Sequence, residues 1–341
     1  MKVAAITGPG SAAVVDRPEP LAGADIVKVR VLVAPACTEW RQYRDGEASE
    51  TLGHEAAGVV VDAAGSAGVR NGDRVVVMPQ YACGRCALCR AGDHIHCRDQ
   101  RDVRAETGSA TGTATYAQYV LKPDWLLLAV PDDISVVDAS LACCALGPTF
   151  QAMERMRVGA DDTLLISGCG PVGLGAVVNA AVRGARTIAL EPHPHRAELA
   201  RGLGAFAVVD PTVPDALDQI RELTGGLGAD ASVETSGASG SAQLVVRATR
   251  PRGRLAFNSW SGSVEVGELV GRGLEVHGCW HWNHQRDAER MFETIRRAGP
   301  LLDRLVTHRF ELEDVAAAWE LQLTGECGKV LLFPWGENAA A

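Results

Sequence analysis

Four cysteines fall within fifteen residues of this sequence, at the spacing C-x2-C-x2-C-x7-C. Four thiolates in one short loop suit a tetrahedral structural Zn2+ that has no open coordination position. An iron–sulfur cluster is the competing hypothesis, because it also takes four cysteines. Unbonded thiols at this density would be an oxidation liability. The predicted ligands are Cys83, Cys86, Cys89 and Cys97.

Charged and titratable neighbours lie inside the same loop. Arg85 and Arg90 are candidate counter-charges for a site with four thiolates, which carries a net charge of about −2 once Zn2+ is bound. His94 and His96 are interpreted as solvated loop residues. We therefore expect this metal site near the surface.

A second candidate group is dispersed along the chain. Cys37 precedes the sequence Gly-His-Glu at positions 53–55, and Cys143 and Cys144 follow far downstream. A single histidine such as His54 is more often a structural residue than a metal ligand. Its interpretation therefore depends on the rest of the chain.

A glycine-rich sequence marks a nucleotide site. The G-x-G-x-x-G pattern follows a predicted strand at 163–167 and precedes a predicted helix. Its glycines allow a tight turn and close approach of a pyrophosphate, which would lie at the helix N-terminus. The predicted cofactor-binding residues of this turn are Gly168, Gly170, Pro171, Val172 and Gly173.

An acidic residue is expected about 20 residues further on, where it hydrogen-bonds the ribose hydroxyls. Glu191 ends the second predicted strand and would repel a 2′-phosphate, which favours NAD. Arg196, together with His193 and His195, adds positive potential nearby, so NADP stays open.

The elements that must hold these residues fall into two groups. The first 130 residues contain short β-rich segments at 26–33, 58–61 and 73–77, separated by glycines, which predicts an all-β module of barrel type. From about residue 147, strands alternate with helices, which predicts a parallel sheet with crossover helices. We therefore expect two domains.

Composition limits the class of function. The chain has 341 residues and a formal net charge of −9. This charge and the absence of any Lys/Arg-rich block argue against nucleic acid or an anionic membrane as a partner. Neither a secretory signal nor a run of 18 apolar residues is present, so we expect a cytoplasmic protein with a small-molecule substrate.

Taken in order, these motifs resemble the zinc-containing medium-chain dehydrogenase/reductase family. The resemblance covers nearly the whole chain: an upstream cysteine, Gly-His-Glu, the four-cysteine lobe, the nucleotide glycines and Gly-Lys-Val at 328–330. It implies an α/β fold, with a GroES-like β-barrel catalytic domain and a doubly wound, parallel-sheet Rossmann domain. The predicted bounds are 1–147 and 287–341 for the first and 148–286 for the second.

The resemblance also implies a catalytic Zn2+ held by Cys37, His54 and a third ligand. Placing Ala152 on the family's helix alanine puts Cys144 in the ligand position and leaves Cys143 as a core residue. Two cysteines, one histidine and an open fourth position are typical of catalytic zinc in alcohol dehydrogenases. We expect two Zn2+ per chain and NAD as the cofactor.

The sequence departs from the family at the proton relay, where the family has Thr or Ser and then Asp. Without a gap, Glu39 takes the relay position and Trp40 the Asp position; with one deletion, Thr38 is the relay and Glu39 replaces Asp. The ungapped count keeps the usual distance from Cys37 to Gly46. We therefore predict that Glu39 takes part directly, either as the general base or as a zinc ligand. The other role considered is that Glu39 only orients His54. Thr38 and Glu55 complete the catalytic candidates.

Four tryptophans fall at positions where the family has loops near the cleft between its domains. One interpretation is a pocket for a bulky, ring-containing substrate, and the other is packing or subunit contact. The residues are Trp40, Trp260, Trp280 and Trp282.

The predicted activity is hydride transfer between NAD(H) and an alcohol or carbonyl. A C=C or C=N reductase on the same scaffold is the first alternative, since the relay is unusual, and a non-enzymatic zinc-stabilised binding protein is the second. A homodimer or homotetramer is implied by the family.

Overall fold

The computed structural model describes residues 1–340, which divide into two compact units. The first comprises Met1–Cys144, Asn283–Ile295 and the chain from Val306 onward, and the second comprises Ala145–Trp282 and Arg296–Leu305. The two main boundaries lie within a few residues of those predicted at 147/148 and 286/287.

The strands, numbered along the chain, are β1 (Lys2–Gly8), β2 (Ser11–Asp16), β3 (Ile26–Pro35), β4 (Ala56–Asp62), β5 (Arg74–Val77), β6 (Tyr119–Pro123), β7 (Leu127–Ala129), β8 (Thr163–Ser167), β9 (Arg186–Leu190), β10 (Ala207–Val209), β11 (Ala229–Glu234), β12 (Thr249–Phe257), β13 (Glu275–Gly278), β14 (Val306–Glu311) and β15 (Lys329–Phe333).

The α-helices are α1 (Trp40–Asp45), α2 (Ala87–Arg90), α3 (Val103–Thr107), α4 (Val136–Ser140), α5 (Gly147–Met156), α6 (Pro171–Arg183), α7 (Pro194–Gly202), α8 (Ala216–Leu223), α9 (Ser241–Ala248), α10 (Val266–Arg272), α11 (His284–Ala298), α12 (Pro300–Leu305) and α13 (Val315–Thr324). No helix among residues 1–340 is long and apolar enough to cross a membrane.

The first unit is built on a seven-stranded sheet in the order β14-β15-β3-β4-β5-β7, with β6 also paired to β3. Along β3, Val27, Val29 and Val31 are buried while Lys28 and Arg30 are only half-buried. This alternation puts every second side chain into the core, as a half-buried strand requires. The sheet and its flanking loops position both cysteine groups.

The second unit contains a six-stranded parallel sheet in the order β10-β9-β8-β11-β12-β13. This is the doubly wound arrangement, in which the strand order reverses between β8 and β11. Ligands of such sheets bind outside the carboxyl ends of the strands at that reversal. The strand ends there carry Gly168 and Glu234.

One segment lies in a different unit from the predicted one. Residues 296–305 belong to the second unit, although the prediction gave all of 287–341 to the first domain. The physical reason is packing, because α12 lies against α6 and α7 of the second unit. A helical period identifies such a segment as a helix but does not identify the surface it packs on.

Candidate functional site

The four predicted structural cysteines converge in the loop around α2. Cys83 Sγ lies 3.8 Å from Cys89 Sγ, and Cys86 Sγ lies 3.4 Å from Cys89 Sγ and 3.9 Å from Cys97 Sγ. Backbone N–H groups of Cys83 and Cys86 donate to the sulfurs of Cys97 and Cys83. The backbone N–H of Arg85 lowers the pKa of Cys83 to about 6 despite desolvation. These contacts favour the thiolate form of Cys83.

The sulfur separations fit zinc. Four ligands at the Zn–S distance of about 2.3 Å form a tetrahedron whose edges are about 3.8 Å long. The observed separations of 3.4 to 3.9 Å span that value. This donor set could therefore hold Zn2+ with its sulfurs close to their present places.

The surroundings of the four-cysteine loop differ from the prediction at one residue, His94. Arg85 pairs with Asp99 at 3.1 Å, and Arg90 Nε donates to the Arg85 carbonyl. His94, expected to be solvated, is 1% exposed and stacks on His284 at 5.0 Å between ring centroids. It is buried because the start of α11 covers the loop, a contact that no local spacing reveals. His96 is exposed, as expected.

The second group is assembled from three segments of the first unit. Cys37 follows β3, His54 precedes β4, and Cys144 lies within the turn after α4. His54 Nε2 lies 3.3 Å from Cys144 Sγ, and the ligand atoms of the group, with Glu55, all lie within 4.8 Å of one another. Two thiols and an imidazole at this separation form a donor set suited to Zn2+ with an open position.

Cys143 lies outside this group. It is fully buried, and its Sγ donates to the Val77 carbonyl at 3.4 Å. The structure therefore brings Cys144 to His54, whereas the adjacent Cys143 points into the core.

Glu39 does not occupy the position that the prediction favoured. One carboxylate oxygen contacts His54 Nδ1 at 2.7 Å, and the other accepts from Tyr116 Oη at 2.7 Å and from the Cys37 N–H at 3.3 Å. Burial would raise its pKa, but His54 and Tyr116 outweigh burial and lower it to about 2. Glu39 is therefore an anion that orients His54, a common partner for a metal-binding histidine.

The physical reason is the short link between Cys37 and α1. Helix α1 begins at Trp40, so Thr38 and Glu39 alone span the turn. Glu39 points inward beneath His54, while Thr38 is exposed. This geometry favours an orienting role for Glu39 over the predicted direct role, which is the arrangement expected from the gapped alignment.

Glu55 is buried in an ion pair. It is 0% exposed, one oxygen contacts Lys329 Nζ at 2.7 Å, and the other accepts from the Cys144 N–H at 3.0 Å. Burial raises its pKa to about 7, although Lys329 opposes that shift. Glu55 thus ties the Gly-His-Glu segment to Cys144 and β15.

Sequence reasoning missed two of these partners. Tyr116 received no role, and Lys329 appeared only as part of a motif. A single sequence gives no signal for either, since both contacts join segments more than 75 residues apart.

In the second unit, the nucleotide glycines form the predicted strand–turn–helix. Gly168 has a φ of +88°, a conformation that glycine adopts without strain. A Cβ at Gly173 would lie 1.8 Å from the Gly168 carbonyl oxygen, so only glycine fits there. Pro171 occupies the first turn of α6. At Gly170, in contrast to Gly173, an added Cβ would meet nothing within 4 Å. The turn leaves open space at a helix N-terminus, which suits a phosphate.

Glu191 follows β9 and is 7% exposed. Its oxygens accept from the backbone N–H groups of Cys169 at 2.7 Å and His193 at 2.9 Å. A carboxylate has about four acceptor sites, so these two bonds leave capacity for ribose hydroxyls. Burial raises the pKa of the Cys169 thiol. The guanidinium of Arg196 lies near enough to oppose part of that shift.

The tryptophans do not form one group. Trp282 is 2% exposed and packs on Phe150, which identifies it as a core residue and corrects its assignment to a substrate pocket. Trp260 is 80% exposed and meets Trp280 edge-on at 4.8 Å. In the first unit, Trp40 is half-buried with Arg41 and Arg44 over its ring.

Comparison with known proteins identifies the family to which this chain belongs. Residues 23–132 match the family described as "Alcohol dehydrogenase GroES-like domain", and residues 171–297 match "Zinc-binding dehydrogenase". The L-threonine 3-dehydrogenase of Symbiobacterium thermophilum is 30% identical over 96% of this chain and 95% of its own length. The chain belongs to the zinc-type medium-chain alcohol dehydrogenase family.

Two further relatives agree. The "Uncharacterized zinc-type alcohol dehydrogenase-like protein YphC" of Escherichia coli is 31% identical over 83% of this chain and 80% of its own length. A solved "NAD-dependent alcohol dehydrogenase" is 27% identical, covers 98% of this chain and 99% of its own, and superposes with a TM-score of 0.81. This family consists of oxidoreductases, and its two-domain fold is the one described above.

Proposed function

We propose that this chain is a zinc-dependent dehydrogenase that interconverts an alcohol and a carbonyl by hydride transfer to and from NAD. The observation that carries the proposal is the convergence of Cys37, His54 and Cys144 within 4.8 Å, in a chain whose second unit has an open glycine turn. When bound, zinc supplies Lewis-acid polarisation of the substrate's carbon–oxygen bond.

The chain's own residues have distinct tasks in this reaction. Glu39 and Tyr116 hold the ring of His54, so that Nδ1 is occupied and Nε2 is left for the metal. Thr38 Oγ1 accepts the alcohol proton and passes it to water, since Thr38 is exposed directly beside Cys37. NAD, when bound, would supply the hydride acceptor, and the proton that the alcohol loses would reach solvent through Thr38.

Two metal ions per chain follow from the two ligand groups. The four-cysteine group has no open position and is assigned structural Zn2+, and the Cys37 group is assigned catalytic Zn2+. Iron–sulfur chemistry is disfavoured for the lobe because the chain as a whole belongs to a zinc-type dehydrogenase family.

NAD is the preferred cofactor in this proposal. Glu191 places a buried carboxylate beside the glycine turn, where it favours ribose hydroxyls and repels a 2′-phosphate. Arg196 is the residue through which NADP could still bind.

The substrate is an alcohol or carbonyl compound, and a bulky or ring-containing one stays a hypothesis. A C=C or C=N reductase remains the alternative chemistry, although a relay through Thr38 removes the main reason for it. The non-enzymatic alternative has no support, because family membership makes the chain an oxidoreductase. Both metal-ligand groups need cysteines that are not oxidised to disulfides, which is typical of a reducing compartment. We therefore propose a cytoplasmic location.

A homodimer is the proposed assembly, with a homotetramer as its possible extension. Strand β13 is an edge strand of the parallel sheet, and Val276 on it and Val270 on α10 are exposed. An open strand edge flanked by apolar side chains suits pairing with a second copy.

The test is absorbance at 340 nm with purified protein, NAD or NADP, and a panel of secondary alcohols, polyols and β-hydroxy amino acids such as threonine. We expect NADH formation with at least one class and slower turnover with NADP. No turnover of any alcohol, with turnover of an unsaturated carbonyl or an imine and NADH, would replace the proposal by the alternative reductase.

A further inference from the structure

Glu234, the last residue of β11, is a buried carboxylate without an ion-pair partner among residues 1–340. One oxygen accepts from Ser236 N at 2.9 Å, Ser236 Oγ at 2.5 Å and Gly237 N at 3.0 Å, while the Ser241 hydroxyl, 3.0 Å away, donates to the Ala238 carbonyl at 2.7 Å. The other oxygen accepts from Ser259 Oγ. Four neutral donors thus satisfy a carboxylate that would otherwise be costly to bury.

The position of Glu234 connects it with the nucleotide turn. Strand β11 pairs with β8, and the strand order reverses between them. Thr235 Oγ1 donates to the carbonyls of Ser167 and Gly168, both at 2.9 Å. A Cβ on Gly168 would lie only 2.6 Å from Ser236 Cβ. The loop after β11 is therefore in direct contact with the glycine turn.

The same carboxylate fixes a second loop, which follows β12. Ser259 is half-buried, and its hydroxyl proton points at Glu234. A hydroxyl has one donor and two acceptor sites, so its lone pairs are left for a donor outside the protein. Glu234 thus orders the loops after two adjacent strands and sets the polarity of Ser259.

We propose that Glu234 is a positioning residue for the nicotinamide half of the cofactor, acting through residues 235–237 and Ser259. A doubly wound sheet has two mononucleotide-binding halves. Strands β8 to β10, with the glycine turn and Glu191, form one half, and β11 to β13 form the other. The inference rests on the proposed NAD-dependent function.

The test is equilibrium titration of the zinc-loaded protein with NADH, followed by nicotinamide fluorescence, and with AMP in competition. Glu234→Gln keeps the side-chain shape but replaces one acceptor by a donor. It should weaken NADH binding by about tenfold or more, since hydrogen bonds to a charged group are the ones lost. AMP affinity should fall much less than NADH affinity: Thr235 and Ser236 contact the glycine turn, but AMP lacks the nicotinamide half. A structural defect would weaken both ligands equally.

Two further variants complete the design. Ser259→Ala should also lose more affinity for NADH than for AMP, but by a smaller factor. If circular dichroism shows that Glu234→Gln is unfolded, Ser259→Ala becomes the variant that tests the proposal. Ser232→Ala is the matched control: it lies on the same strand and loses a buried contact with Thr249 Oγ1 at 2.6 Å, but it touches neither loop. Its NADH and AMP affinities should equal those of the wild type.

The outcomes separate this inference from the proposed function. Unchanged NADH affinity in Glu234→Gln and Ser259→Ala, with normal wild-type binding, overturns the inference and leaves the function standing. An equal loss of NADH and AMP affinity also overturns it. A wild type that binds neither ligand overturns both.

Discussion

The two cysteine groups of the first unit are built in opposite ways. The lobe takes all four sulfurs from residues 83–97, and their mutual distances already match a zinc tetrahedron. The other group collects Cys37, His54 and Cys144 from segments up to 107 residues apart and depends on Glu39, Tyr116 and Glu55 to orient its members. A closed metal site needs only its own loop, whereas an open one needs an outer layer of contacts.

The largest difference between the two cysteine groups should appear in the free energy of unfolding. Cys89→Ala removes a buried sulfur from the lobe, and structural zinc contributes directly to folding free energy. We expect a loss of several kcal/mol in unfolding free energy, measured by thermal and urea denaturation. Cys37→Ala is the matched control and should lose zinc while keeping most of its stability. Equal destabilisation by the two substitutions would remove the distinction between the sites.

The adjacent cysteines sharpen the comparison within the open site. Cys144→Ala should reduce the zinc content by one ion per chain, because Cys144 Sγ faces His54. Cys143→Ala should keep both ions, since its sulfur contacts only the core. Metal analysis by mass spectrometry gives the answer, and the reverse pattern would show that the assigned register is wrong.

The relay prediction separates two neighbouring residues. Thr38→Val should reduce turnover by about 100- to 10,000-fold, the usual contribution of proton transfer by a positioned group. Zinc content should be unchanged, because Thr38 is exposed and no ligand contact is lost. Steady-state rates with NAD and the best alcohol test this, with Thr51→Val as a control. A mild effect would exclude Thr38 as the relay.

Glu39→Gln should have a smaller effect of a different kind. Partners of metal-binding histidines are typically worth about 10- to 100-fold in metal affinity or activity. The amide keeps one acceptor but loses the charge beside His54, so zinc affinity should fall, as measured by competition with a chelator. Turnover at saturating zinc should suffer less than in Thr38→Val. The opposite order would restore Glu39 as the proton acceptor.

The smallest expected effect concerns the cofactor. Glu191→Ala should narrow the preference for NAD over NADP, because it removes the carboxylate beside the glycine turn. Dissociation constants for both cofactors in wild type and variant provide the measurement. Tighter binding of NADP by the wild type would contradict the assignment and direct attention to Arg196.

Sequence alone predicted the parts of the molecule that are local in the chain. The strand at Thr163–Ser167, the glycine turn and the four-cysteine spacing are set by neighbours within a few residues, and the structure contains all three as predicted. Cys144 required the family resemblance, because its partner His54 lies 90 residues earlier.

The remaining errors share a physical cause. Glu39, His94 and Trp282 each acquire their surroundings from distant segments: Tyr116, His284 and Phe150 respectively. Counting residues from Cys37 to Gly46 could not show that the short turn before α1 directs Glu39 inward. Side-chain direction at such a turn is decided by the packing of the folded chain rather than by spacing.

The most direct test of the account is the zinc content of freshly purified wild type and Cys37→Ala, measured together with iron. The account predicts two zinc ions per wild-type chain, one per Cys37→Ala chain and no iron, with the variant still folded. One zinc ion in the wild type that is unchanged in Cys37→Ala would contradict it, because the Cys37, His54 and Cys144 group would then hold no metal.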